Sequence, residues 1–376
     1  MKIAIVQPFL NQTGGVERII LKMAQKYNAT IYVVDYDPSK TFPEFQSIDV
    51  RKIPVPKWVN LFKFLPYKAF LGLRYGVAFY FYKFKEKYDY IIANYSPSEW
   101  LSIRNKNVIW YCHSPLRDAY DLYDYRKENK INLDKFYFKF LVRIFRHVDK
   151  KAVGKIKIIV SNSENVKARI KKYFNSDSQV IYPSVDFEKY KNEGDGKYFL
   201  CVSKIVPKKR QEYVIQAFES FHRLYDKDGE YRLILAGETT EDPDAMAYLS
   251  EVKELAERNP FIKIVENPKD DELIELYSKC SAFLFAGLNE DFGISPLEAM
   301  ASEKPVISVN EGGPKEYIVS GQNGFLASTP DKFVEYMGMV KNRNSYMESI
   351  GKKGRETIIK SFSWDLFFTK FENILK

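Results

Sequence analysis

Cysteine is scarce in this chain, and the three present, Cys112, Cys201 and Cys280, lie far apart, in or beside apolar runs and without metal-ligand spacing. That excludes a disulfide-stapled scaffold and leaves reduced core thiols in a cytosolic chain as the expectation. Long hydrophobic runs are missing too: none approaches the roughly 20 residues that a membrane span needs. Met1-Lys-Ile-Ala-Ile-Val6 runs straight into Gln7 and Pro8, which reads as a short strand and not a signal peptide. There is no G-x-G-x-x-G, so a dinucleotide fingerprint is absent. No internal repeat or low-complexity tract is present. Acid is in short supply: the net charge of +9 points to an anionic partner, either nucleotide, nucleic acid or acidic membrane. Nothing resembles a nucleic-acid module, so no nucleic acid is expected.

What is present is globular: 45% apolar and 28% charged residues over 376 positions suit two domains of ordinary size, each able to bury a core. The most informative stretch is Gly287-Leu-Asn-Glu-Asp-Phe-Gly-Ile-Ser-Pro-Leu-Glu298. Ala282–Phe285 before it reads as a buried strand. Pro296 onward reads as a helix, with Pro296 at its first position and Ser295 as cap. Strand, Gly turn and helix start are a usual ligand place in a parallel α/β sheet. Phe292, Gly293 and Ile294 would offer backbone N–H groups to an anionic or hydroxyl-rich ligand. Glu290 and Glu298 flank the turn. Carboxylates beside an anion site suit a ligand that also carries sugar hydroxyls, which donate to them.

Other segments repeat the pattern. Lys2–Val6, the Pro8–Gly15 loop with Gly14-Gly15, a helix Val16–Tyr27 and a strand Thr30–Val34 make a βαβ unit and hence a parallel sheet. Residues 51–88 carry nine Lys/Arg, one acid (Glu86) and interleaved aromatics such as Trp58, Phe62, Phe64 and Phe81. This stripe fits a helix on an anionic membrane surface or an amphipathic pair packed on the sheet, and both can hold together. Val108–Cys112 is a strand that delivers His113 at its carboxyl end, followed by Arg117, which either holds a phosphate or pairs with Asp121 at helical spacing. Residues 127–172 read as helical and basic, interrupted by the strand Ile158–Val160; the polar, Gly-rich 192–196 reads as a linker. Lys204, Lys208, Lys209 and Arg210 cluster at a strand-to-helix turn that suits a pyrophosphate. Val306–Val309 reads as the last core strand.

Glu-x7-Glu with its internal Phe-Gly and Pro-Leu-Glu-Ala-Met-Ala resembles the retaining glycosyltransferases of family GT4, which have the GT-B fold. Tyr111-Cys-His-Ser-Pro-Leu-Arg117 is similar to a segment of a mannosyltransferase-rich subgroup, with Ser114, Leu116 and Asp118 departing from its pattern. The resemblance implies an α/β fold of two Rossmann-like domains facing across a cleft. It places an acceptor domain at 1–190 and a nucleotide-sugar domain at 191–355, with a last helix, 356–376, that crosses back. It assigns donor-sugar contacts to Glu290 and His113 and ribose binding to Glu298. Sugar and phosphate contacts fall to Phe292, Gly293 and Ile294, and diphosphate binding to Lys204, Lys209 and the Gly14-Gly15 loop, with Arg210 beside them. The base would meet backbone near Val265 and Asn267. The expected reaction is retaining transfer of a hexose to a glycan or polyprenol-linked acceptor. Mannose from GDP-mannose is the leading donor, and UDP-linked glucose, N-acetylglucosamine or galactose stays open. A non-catalytic sugar-nucleotide-binding subunit is the rival from another class. No Asp-x-Asp is read at a strand end, the carboxylate pair that holds Mg²⁺ or Mn²⁺ in the other transferase fold. Metal independence without cofactor is therefore the expectation, in the cytoplasm or peripheral on the cytoplasmic membrane face.

Overall fold

The computed structural model describes residues 1–128, 132–342 and 345–376, with side chains left undescribed at 132–134. The expected helical stretch 127–172 thus crosses three positions, 129–131, outside the described residues.

The chain forms two compact units, Met1–Tyr182 with Lys370–Lys376, and Pro183–Thr369. The first holds β1 (Ile3–Leu10), α1 (Gly15–Tyr27), β2 (Thr30–Tyr36), β3 (Val50–Lys52), α2 (Tyr67–Phe81), β4 (Tyr90–Asn94) and β5 (Val108–Cys112). It continues through α3 (Tyr123–Glu128), α4 (Asn132–Val153), β6 (Ile158–Ser161), α5 (Glu164–Phe174) and β7 (Gln179–Val180). Its seven strands run parallel in the order β3-β2-β1-β4-β5-β6-β7. The second holds β8 (Tyr198–Val202), α6 (Gln211–Tyr225), β9 (Arg232–Gly237), α7 (Pro243–Glu257), β10 (Ile262–Glu266), α8 (Asp270–Lys279) and β11 (Ala282–Phe285). Then follow α9 (Ile294–Ala301), β12 (Val306–Val309), β13 (Phe325–Ala327), α10 (Pro330–Lys341), α11 (Ser345–Ser361) and α12 (Trp364–Ile374), whose end belongs to the first unit. Its sheet is parallel in the order β10-β9-β8-β11-β12-β13. Renumbered from its own start this is 3-2-1-4-5-6, the doubly wound order.

The strands explain themselves. β5, β11 and β12 are buried along their whole length, as expected where helices cover both faces of a parallel sheet. In the second unit Phe199, Phe218 and Phe221 are fully buried and meet edge-to-face or stacked. Each contributes about 1.5–3 kcal/mol by leaving water. In the first, Phe79, Trp100 and Trp110 fill the space between the sheet and the helices. All three cysteines are buried and free, and burial pushes the Cys201 and Cys280 thiols up to about 12.

Several boundaries differ from the sequence expectation. β1 continues through Pro8, because beyond Val6↔Ala93 it pairs only with β2, leaving one flank where the missing N–H of Pro8 costs no ladder bond. β3 and β13 are three-residue edge strands too short to show a period, so Val306–Val309 is followed by one more strand. α9 begins at Ile294 with Gly293 as cap, which puts Ser295 and Pro296 inside its first turn instead of at its cap and first position. The unit boundary lies at Tyr182/Pro183, earlier than 190/191, because Tyr190 already packs on Tyr277. Only 370–376 joins the first unit, where Phe371 meets Tyr27 and Tyr111; residues 356–369 stay with the second, with Arg355 bound to the Tyr190 carbonyl and Ser363 accepting from Ser184.

Candidate functional site

In the second unit, chain order reverses between β8 and β11, and ligands of such sheets bind beyond the carboxyl ends of strands at that point. The turn after β8 carries Lys204, Lys209 and Arg210, and the turn after β11 carries Glu290 and Phe292–Ile294. Lys209 Nζ lies 2.6 Å from Glu290 Oε2 and over the Phe285 ring. Arg210 sits at φ +53 as the cap of α6, donates from Nε to the Ala286 carbonyl at 2.6 Å and pairs with Glu311 at 3.1 Å. Lys204 pairs with Glu238 at 3.0 Å. A diphosphate at this turn would compete with three carboxylates for three cations, which favours a ligand whose other groups can satisfy the carboxylates. Glu238 and Glu311 had no motif to mark them in the sequence.

The turn after β11 is held by backbone. Leu288 N–H donates to the Lys208 carbonyl at 2.8 Å, and Gly313 N–H to the Glu290 carbonyl at 2.9 Å. A Cβ on Gly312 would stand 2.4 Å from Glu290 O, and one on Gly313 2.4 Å from Phe292 Cα, so no side chain fits at either place. Tyr317 donates to the Gly293 carbonyl at 2.9 Å; burial first, then the Glu290 and Glu316 charges, hold its phenol far above the usual range, so it stays a donor. Gly293, at φ +86, then opens α9, whose first N–H groups have no acceptor inside the helix. Glu298 is half-buried on α9, and fully buried Tyr277 of α8 donates to its Oε2 at 2.8 Å. Tyr277 left no sequence signal beyond its place in an apolar stripe. At the end of β10, Asn267 N–H donates to the Gly237 carbonyl and its Oδ1 accepts from Thr239 N–H at 2.9 Å, so it buttresses the loop after β9. Val265 lies half-buried beside it in the strand.

In the first unit, Gly14 caps α1. Buried Glu17 fills the space beside it, with Oε1 accepting from Gln12 Nε2 at 2.9 Å and Oε2 where a Gly14 Cβ would stand. His113 follows β5, buried against Tyr111, with Nε2 3.2 Å from Asn94 Oδ1. Asn94 Nδ2 donates to Ile92 O, so its oxygen faces His113 and Nε2 carries the proton. Of the two readings the sequence offered for Arg117, the structure shows the pair: it is buried, and its Nε and Nη2 both donate to Asp121 Oδ2 at 3.0 and 2.8 Å. Arg169 reaches the same oxygen at 3.5 Å and bonds Ser114.

One correction concerns carboxylate pairs. Asp35-Tyr36-Asp37 does close β2, but Asp35 is taken by Arg74 and Tyr75 and Asp37 by Ser39, which holds the Asp37 carboxyl below its usual range. Among the described residues no group of three or more His, Cys, Asp or Glu is placed to hold a metal. In the 51–88 stripe Val59, Tyr75, Ala78 and Phe79 are buried while Trp58, Leu61, Phe64, Tyr67 and Phe81 are exposed, so part is core and an apolar edge is left outside. No described helix is long and apolar enough to cross a membrane.

Residues 13–189 match the family model for Glycosyltransferase Family 4, and residues 183–357 match that for Glycosyl transferases group 1. The two matches together run without a break from 13 to 357. The chain belongs to the family 4 glycosyltransferases. Over 94% of its length it is 26% identical to 91% of the alpha-1,3/1,6-mannosyltransferase ALG2 of Homo sapiens. Over 58% of its length it is 30% identical to 58% of the O-antigen chain mannosyltransferase RfbU of Salmonella typhimurium. Among solved structures, Anabaena HepE in complex with UDP and glucose matches with a TM-score of 0.75 at 17% identity, covering all of this chain and 99% of that one. That likeness carries the GT-B fold. The enzyme is a hexosyltransferase of this fold.

Proposed function

We propose that this glycosyltransferase moves mannose from GDP-mannose, with retention, to a lipid-linked or other glycan acceptor. The similarity to proteins named mannosyltransferases, over nearly the whole chain in the case of ALG2, supports the sugar. The observation that carries the chemistry is the pairing of Lys209 with Glu290 at the switch point, beside the N-terminus of α9. Departure of a nucleoside diphosphate needs charge stabilisation, and a basic turn with helix-end N–H groups supplies it from the protein alone. In this reading Lys209 and Lys204 take the diphosphate, Arg210 fixes their turn, and Glu290 turns from Lys209 to distal sugar hydroxyls. Glu298 takes the ribose, and His113, its Nε2–H held by Asn94, presents its ring edge to the donor sugar. Glu290, occupied by a distal hydroxyl, is a poor nucleophile, so the leaving phosphate takes the acceptor proton on the same face. No metal enters these roles. The exposed edge of 51–88 would bring the enzyme to the anionic face of a membrane that carries the acceptor.

The test is thermal shift with GDP-mannose, UDP-glucose, UDP-N-acetylglucosamine and UDP-galactose, with and without EDTA, on wild type and Glu298→Ala. Stabilisation by GDP-mannose alone, insensitive to EDTA and lost in the variant, is expected. Preference for a UDP-sugar, the ligand class of the HepE complexes, would overturn the mannose assignment and keep the site. EDTA sensitivity would overturn the metal-free roles, and binding without turnover on any acceptor would favour a non-catalytic binder.

A further inference from the structure

α4 has two apolar faces where a helix packed on one core needs one. Its inward face is accounted for: Phe138 stacks on Tyr123, Val142 is buried, Phe145 meets Trp100, and Ala152 and Val153 close the core. The outward face carries Phe136, Tyr137, Phe140 and Ile144, which are 66, 54, 55 and 48% exposed. Positions 136, 140 and 144 follow each other at one turn, and 137 widens the same arc. A solvated helix does not hold an aromatic stripe of this kind, and contiguous exposed apolar patches mark interaction sites.

The charges beside the stripe name the occupant. Lys139 and Arg143 are exposed and lie one turn apart along one flank of it. No Asp or Glu occurs from 135 to 148, and Asp149 is fully buried, where it accepts from Trp100 and Tyr120. Arg146 is excluded from the flank, because it bonds the Ala119 carbonyl and covers the Tyr123 ring. An aromatic arc with a purely cationic flank fits the boundary between acyl chains and anionic headgroups, where rings enter and Lys/Arg stay at the phosphate level. A soluble protein partner would leave Lys139 and Arg143 without the mixed polar rim usual at such interfaces. α4 and α2 both pack against the 3-10 helix Ser98–Ile103, so this face and the exposed aromatic end of α2 belong to one side of the first sheet.

We propose that the outward face of α4 inserts into the interfacial region of an anionic bilayer, as an anchor additional to the 51–88 edge. The proposal does not depend on which sugar nucleotide is used. Its test is flotation of the full chain with phosphatidylcholine vesicles, with and without phosphatidylglycerol, at low and high salt. Wild type, Phe136→Ser/Phe140→Ser and Lys139→Gln/Arg143→Gln are compared, with matched far-UV spectra and melting temperatures as the folding control. The wild type should float with anionic vesicles at low salt. Each lost cation should weaken binding about fivefold and reduce its salt dependence, and the aromatic double variant should weaken binding at every salt concentration. Flotation unchanged in both variants, or none by the wild type, overturns the proposal. A dimer in gel filtration that the aromatic variant dissolves would also overturn it, giving the face to a second copy. Donor-induced thermal shift is read on the same samples: its loss with flotation intact would count against the proposed function and leave the anchor standing.

Discussion

Gly313→Ala tests whether the two turns beyond β11 and β12 act as one piece. Gly313 presses its backbone against Phe292, and an added Cβ would lie 2.4 Å from Phe292 Cα and 2.5 Å from its carbonyl oxygen. Ordinary contact begins at 3.4 Å, so one of the two turns must give by about 1 Å, and both atoms struck are backbone. Gly313 N–H on the Glu290 carbonyl and Tyr317 on Gly293 tie the two turns together, so the shift is passed to Phe292–Ile294 and Glu290. Overpacking of this kind costs about 1–3 kcal/mol of stability. A displacement of about 1 Å in a positioning element is worth on the order of a hundredfold in rate. The assay is kcat and KM for donor turnover, with the melting temperature of the same preparation. The expected result is a loss of turnover near a hundredfold, larger than the change in melting temperature alone would explain. Gly321→Ala is the control: its φ of +79 makes the substitution strained, but its Cβ would meet only the Tyr346 hydroxyl at 3.4 Å, so stability should fall with turnover kept. Near-normal turnover in Gly313→Ala would refute the claim that this turn sets the geometry of the site.

Tyr277→Phe removes a buried donor from Glu298 and nothing else. A hydrogen bond to a charged group is worth about 1.5–3 kcal/mol, so donor KM should rise roughly tenfold or more with kcat nearly kept; an unchanged KM would make Tyr277 a core residue only. Glu99 and Asp149 are both fully buried, and burial first, with the Asp149 charge second, raises the Glu99 carboxyl well above its usual range. A carboxyl raised on folding contributes stability below its unfolded pKa and loses it as pH rises through the folded value. Denaturant unfolding should therefore show stability falling in wild type as pH rises above the ordinary carboxylate range, and the slope should flatten in Glu99→Gln; equal slopes would show that Glu99 does not hold a proton in the fold. On α2, a Cβ at Gly72 would meet nothing within 4 Å. Gly72→Ala should stabilise the first unit by about 0.5–1 kcal/mol through helix propensity, read as a raised midpoint in urea.

The fold was legible where side chains repeat a period against a two-sided core. β5, β11 and β12 are the apolar runs read from the sequence, residue for residue, because a strand covered on both faces has no alternation to mislead. β3 and β13 escaped because three residues carry no period. The helix start at Ile294 escaped for a different reason. Pro296 at a first position is the better local choice, yet Tyr317 and the Gly312-Gly313 strip hold the backbone of 290–293 so that the helix opens two residues earlier, at a glycine with φ +86. The same distinction runs through the site. Glu290, Glu298, Lys209 and His113 stood out because the chemistry of a sugar nucleotide needs charged groups at strand ends. Glu238, Glu311 and Tyr277 hold Lys204, Arg210 and Glu298 from distant positions, and only the register of the sheet brings them there. Arg117 shows the converse. Its charge left a phosphate contact and a pair with Asp121 one helical turn away both open, and the pair is what forms. A cation with a carboxylate at i+4 inside a buried segment is therefore weak evidence for a phosphate. Lys209 differs: its carboxylate partner comes from 81 positions away, so the pair has to be placed by the fold at the end of two strands and has no local reason to form, which is why the proposed function rests on it.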